Sequence, residues 1–228
     1  MLIAVPPSLM TAICLAEYAR PRLRALLIPL IDLLAGIPSV VYGIWGILTI
    51  VPFIEKVIAP WANHWLGVLP LFHSENPTGY SVLAGGMVLA VMVFPIIISV
   101  AEEVIGTVPQ GLREASLSLG ATRWQTVQHV VLRRAAGGVL AAIVLGFSRV
   151  FGETMAVLMV VGNVPTVPES IFDPAYPLTA LIANNYGEMM SIPLYDAALL
   201  CAALILLLLV LAFNIASRVL LIRLTRYE

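Results

Sequence analysis

Charge is scarce in this chain. Only 11% of its 228 residues are Asp, Glu, Lys or Arg, while 61% are hydrophobic, a balance far from that of soluble domains. The composition describes an integral membrane protein. A net charge of −1 says little, because in such a chain the distribution of charge matters more than its sum; no nucleic-acid partner is expected. Both cysteines, Cys14 and Cys201, fall inside apolar runs, which favours packing or lipid-facing roles over a disulfide or a metal pair. His64, His73 and His129 are scattered without metal-ligand spacing, so no metal site is expected. The pattern GxxxxGK followed by Ser or Thr is missing, so the chain has no phosphoryl-transfer cradle of its own. The apolar runs hold neither a nucleophile–base set nor a metal cluster, and an enzyme is not expected.

What the sequence has is long apolar runs. Ala25–Phe53, Ser81–Ala101, Ala135–Gly162 and Leu194–Leu221 read as spans, and Met1–Glu17 reads as the end of another, giving five predicted transmembrane helices in one membrane domain over residues 1–228. Ala25–Phe53 exceeds the roughly 20 residues that cross a bilayer and contains Asp32, Gly36 and Pro38, so it must tilt, kink or extend. Glu55–Tyr80 and Asn163–Ile192 read as loops, the second with a short helix near Leu178–Tyr186. Apart from Lys56 and Arg149, every basic residue lies beside Arg20–Arg24, in the central polar segment, or near the C terminus. The positive-inside rule therefore places the central segment and the C terminus in the cytoplasm. Met1 then falls outside with no loop before it and no basic leader, so a further N-terminal span is expected ahead of this chain.

The central segment, residues 102–134, is polar and well patterned. Thr107 and Pro109 supply start signals, Leu112, Ala115 and Leu119 recur at helical spacing, and Gly120 sits where a left-handed C-terminal cap belongs. Thr122 and Gln125 have capping-box spacing ahead of a second stripe of Trp124, Val127 and Val131. The prediction is helix, glycine turn, helix. Such a pair can lie on lipid headgroups or dock a protein partner.

Two features inside the spans carry chemistry. Arg149 lies about 14 residues into a span starting near Ala135, about 21 Å along at ~1.5 Å per residue, close to mid-membrane. An arginine there costs about 2.5 to 3.5 kcal/mol on insertion scales and marks function by default. Glu153, four residues on, shares its helix face. One reading is a self-neutralising ion pair. The other is a lined path, in which Arg149 offers a planar donor fork to a passing oxyanion and Glu153 weakens the site enough for release. The Gly36-Ile37-Pro38-Ser39 break is either a kink or an opening that exposes backbone and the Ser39 hydroxyl to that path. Asp32 is expected to pair with the Arg22–Arg24 cluster.

Glu114-Ala115, four residues, then Gly120 resembles the EAA loop of binding-protein-dependent ABC importer permeases. The stretches Ile31–Gly46 (IDLLAGIPSVVYGIWG) and Gly146–Asn163 (GFSRVFGETMAVLMVVGN) resemble the phosphate-specific ABC importer permeases, in particular the PstC type. The likeness runs from about Thr11 to the C terminus, interrupted in the two outer loops. Arg133 stands where that family often has a proline, and Asp32 where it usually has glutamate.

The resemblance implies an all-α membrane protein of the type I ABC importer permease fold with a cytoplasmic coupling-helix pair. It implies that Glu114, Ala115 and Gly120 dock a cytoplasmic ATPase, and that Arg149, Glu153 and Ser39 line the substrate path for inorganic phosphate. The implied partners are a second, PstA-type permease, two ATP-binding subunits, an extracytoplasmic phosphate-binding protein and membrane lipid. ATP and Mg belong to the ATPase, and this chain binds no cofactor. The alternatives are a permease for sulfate, molybdate or tungstate, or an ATPase-independent channel or membrane scaffold.

Overall fold

The computed structural model describes residues 1–66, 69–73, 78–187 and 194–225. Among these the secondary structure is helical, with one isolated parallel bridge, Gly162–Ala175. The helices are α1 (Val5–Ile13), α2 (Pro21–Ala35), α3 (Ser39–Trp65), α4 (Val82–Gly106), α5 (Gln110–Ser118), α6 (Arg123–Phe151), α7 (Met155–Val160), α8 (Leu178–Asn185) and α9 (Tyr195–Thr225). Of these, α3, α4, α6 and Tyr195–Val219 of α9 are long and apolar enough to cross a membrane. In the α9 window only 6% of residues are buried. A helix apolar on all sides and this uncovered is built for lipid or another membrane subunit.

The backbone groups into two compact units interleaved along the chain, Met1–Gly36 with Val93–Arg149 and Asn214–Glu228, and Ile37–Met92 with Val150–Phe213. The core of the first unit joins Ala12 and Leu15 of the N-terminal helix to Ile98, Ala101 and Ile105 of α4 and Val131, Ala135 and Ala142 of α6. Glycine lets α4 and α6 meet closely. A Cβ added at Gly146 would lie 2.8 Å from Ile97 Cγ1 and 3.3 Å from Val93 Cγ2. Lipid supplies no hydrophobic drive between helices, so backbone approach through small residues is how such helices gain van der Waals contact.

The second unit centres on α3, the first half of α4 and α7, with Tyr42, Ile54, Val88, Met92, Ala156 and Val160 buried together. A Cβ on Gly43 would meet Ala156 Cα at 3.3 Å, and one on Gly46 would meet Val160 Cγ1 at 2.9 Å. The contacts advance together along both helices, so α3 and α7 run parallel. The loop after α7 is tied down. Ala175 N–H donates to the Val161 carbonyl, Ile171 N–H to Leu71, and Val82 N–H to Asp173, while the Asp173 carboxylate accepts from the N–H groups of Glu169 and Ser170.

The structure corrects several sequence expectations. The long run Ala25–Phe53 is cut in two rather than kinked: Gly36 closes α2, and Pro38, at φ −58 and ψ 140, starts α3. With its origin moved to Ser39, α3 runs through Glu55 and Lys56 to Trp65, where the sequence suggested a loop. Two stretches of π geometry, Gly46–Ile50 and Ile54–Ile58, flank Pro52, which has no N–H to give to an α ladder. The span expected from Ala135 starts at Arg123, because the second short helix of the central segment is continuous with it. That span ends at Phe151 rather than Gly162. The N-terminal helix, Val5–Ile13 with a π turn over Cys14–Tyr18, is shorter than the four spans. Asp32 does not join the arginine cluster; its carboxylate accepts from Ser99 Oγ at 2.6 Å. Arg24 pairs instead with Glu102, 2.5 Å from Nη2 to Oε1. No N–H is aligned on that oxygen, which therefore has charge compensation without a directed hydrogen bond.

Candidate functional site

The central segment has the predicted form. The α5 helix ends in Gly120 at φ +84, a left-handed cap, and Ala121 N–H returns to the Ser116 carbonyl. Thr122 and Gln125 make the capping box: Thr122 Oγ1 accepts from Gln125 N–H at 3.3 Å, and Gln125 Oε1 accepts from Thr122 N–H at 2.8 Å. Thr107 takes the opposite role to that expected, closing α4 through a bond to the Val104 carbonyl, and Pro109 alone caps the start of α5.

No residue of α5 is buried. Glu114 and Ala115 are exposed, Leu119 is 88% exposed, and a Cβ on Gly120 would touch nothing within 4 Å. The helix is held at Arg113, whose guanidinium donates to Glu17 and to the carbonyls of Ile105 and Val108, and at Ser116, whose hydroxyl lies 2.9 Å from that of Thr126.

The residues proposed for the path occupy different settings. Arg149 is exposed in the last turn of α6, where the negative end of the helix dipole favours a cation. Among the described residues it makes no ion pair. Glu153 does not continue that helix. The chain leaves α6 at Phe151 through Gly152, Glu153 N–H closes a tight turn on the Val150 carbonyl, and the Glu153 carboxylate accepts from Thr154 N–H at 3.2 Å and Ala156 N–H at 3.3 Å. The i, i+4 register on which the ion pair depends is therefore absent. Glu153 instead compensates the unpaired amides at the start of α7.

Ser39 is the first residue of α3, and its hydroxyl does not cap that helix. Because α3 and α7 run parallel, Ser39 and Glu153 sit at the same end of the pair. Thr179, at the start of α8, joins them by donating to the Glu153 carbonyl at 3.3 Å. Thr179 was missed in the sequence. Its local signal, Pro177 followed by a hydroxyl residue, marks a helix start but gives no hint of the partner 26 residues away.

Apolar helices of spanning length, joined by a short exposed helix with a glycine turn, define a polytopic helical membrane protein. Residues 8–226 match the family of binding-protein-dependent transport system inner membrane components, and the chain belongs to that family. It is 40% identical over 231 residues to the phosphate transport system permease protein PstC of Xylella fastidiosa strain Temecula1, covering 100% of this chain and 71% of the relative. Identity to the protein of the same name from Pasteurella multocida is 39%, over 100% of this chain and 72% of the relative. Among solved structures, the MetNI methionine ABC transporter in an inward-facing conformation superposes with a TM-score of 0.60 at 20% identity, covering 96% of this chain and 85% of that one. That likeness concerns the fold.

Proposed function

We propose that this chain is the permease subunit of an ATP-driven importer of inorganic phosphate. The observation that carries this is the similarity, over the whole of this chain and about seven-tenths of the relatives, to permeases of phosphate transport systems, supported by the open face of α5. In this reading α5 and Gly120 enter a groove of a cytoplasmic ATP-binding subunit, two copies of which supply the hydrolysis that this chain has no motif to perform. A second, related permease completes the path, and a phosphate-binding protein delivers the substrate on the outer side. The central segment and the C terminus face the cytoplasm, where the basic residues lie.

The path residues divide the work. Arg149 offers two parallel N–H donors to a phosphate oxyanion, a geometry that lysine cannot reproduce. The Ser39 hydroxyl, at the start of α3, presents a donor without full charge. Glu153, already engaged by two amides, keeps negative charge at that end and prevents the anion from being held too tightly to leave.

The test is uptake of labelled phosphate by phosphate-starved cells that lack their own importer and carry this chain with its partners. Uptake is expected to persist in a large excess of sulfate, molybdate or tungstate. Suppression by any one of these would assign the permease to that oxyanion instead.

A further inference from the structure

A helix of nine residues does not hold its shape in water unaided, since isolated helices below about 12–15 residues are marginal. It transmits motion through its attachments, and no residue of α5 is fully buried. Behind it lies a cavity of about 350 Å³ whose walls mix polar and apolar side chains, among them Glu17, Gln110, Arg113, Leu117, Arg123 and Val127. Across that space the directed bonds from α5 to the N-terminal segment and to α4 come from Arg113.

Arg113 Nε and Nη2 donate to Glu17 Oε1 at 3.0 and 2.6 Å, Nη2 also donates to the Ile105 carbonyl at 3.0 Å, and Nη1 donates to the Val108 carbonyl. The two charged side chains are only 19% and 11% exposed. One planar cation thus ties α5 to the end of the N-terminal helix, to the last turn of α4 and to the bend between α4 and α5. From this geometry we infer that Arg113 and Glu17 are positioning residues that transmit movement of α5 to α1 and α4. Stiffness is what the arrangement supplies: a guanidinium fixed by acceptors on three sides has little freedom to rotate, whereas a lysine ammonium would satisfy them only one at a time.

The inference rests on α5 being the ATPase-docking helix, and two measurements separate its failure from failure of that reading. The first is amide hydrogen exchange of the full chain in lipid nanodiscs. Arg113→Ala removes charge-assisted bonds, and exchange over residues 110–118 is expected to rise on the order of tenfold, with the spans unchanged. Glu17→Gln keeps an acceptor without the charge and is expected to give a smaller rise, which serves if Arg113→Ala does not insert. The second is phosphate moved per ATP hydrolysed by the assembled complex, expected to fall about tenfold in Arg113→Ala and less in Arg113→Lys, with hydrolysis retained.

Unaltered exchange in both Arg113→Ala and Glu17→Gln overturns the clamp whatever the complex transports. Raised exchange with an undiminished phosphate-to-ATP ratio overturns its transmitting role. A wild-type complex that moves no phosphate overturns the importer reading, and hydrogen exchange then decides the clamp alone.

Discussion

Arg149→Ala is expected to lower phosphate uptake by on the order of a hundredfold while leaving insertion, assembly and basal ATP hydrolysis intact. The magnitude follows from the lower end of two charge-assisted hydrogen bonds of about 1.5–3 kcal/mol each, at about 1.4 kcal/mol per tenfold. Retention of the fold follows from the position of Arg149. It is exposed in the final turn of α6 and makes no ion pair among the described residues, so its removal leaves no orphaned buried charge. Only the favourable meeting of its cation with the helix terminus is lost, roughly 0.3–1 kcal/mol. Arg149→Lys keeps the charge without the fork and is expected to lose about tenfold. Initial uptake rates, normalised to the amount of assembled complex, separate the three proteins. Equal rates would reduce Arg149 to a helix-terminal charge.

Gly120→Trp is the second large effect: transport is expected to become undetectable while the ATPase subunits continue to turn over or fall off the complex. Two causes must be distinguished. A non-glycine residue at φ +84 carries a backbone cost of roughly 1–2 kcal/mol. A tryptophan also fills the space that a partner would occupy, since nothing of this chain lies within 4 Å of a Cβ built at that position. Gly120→Ala has the first cost without the second, and Gly120→Asn reduces the first because asparagine tolerates the left-handed region. Near-normal transport in those two variants, with loss in Gly120→Trp, would locate the effect in docking. Loss in all three would locate it in the turn itself. If all three transported normally, α5 would be lying on lipid and the docking reading would be wrong.

The features that sequence made legible are those encoded by neighbours in the chain. The capping box at Thr122–Gln125, the left-handed Gly120 and the start of α8 at Leu178 each depend on residues a few positions apart, and each stands as expected. The break at Gly36–Pro38 was visible as a disturbance, but its extent was not. Whether a proline break kinks a span or ends it depends on what packs against each half, here Ala156, Met159 and Val160 against α3.

Hydropathy misled at Phe151. Apolar residues continue to Gly162, so the run reads as one span and Glu153 seems to lie one turn above Arg149. The sequence Phe-Gly-Glu-Thr nonetheless contains a helix breaker followed by a residue able to cap, and it is Glu153 that binds the amides of α7. A consequence is that Glu153→Ala confounds loss of charge with loss of a cap of about 1 kcal/mol, while Glu153→Gln isolates the charge. The Arg113–Glu17 pair joins positions 96 apart and has no local signature. Arginine beside the exposed Glu114-Ala115 pair looks like a solvated charge until the turn after α1 is brought against it.

The most direct measurement is phosphate accumulation by proteoliposomes containing this chain, its partner permease and the ATP-binding subunits, with the phosphate-binding protein outside and ATP inside. The account predicts accumulation above the external concentration that requires both ATP and the binding protein and disappears in Arg149→Ala. Equilibration that proceeds without ATP, or ATP-driven accumulation of sulfate in place of phosphate, would contradict it.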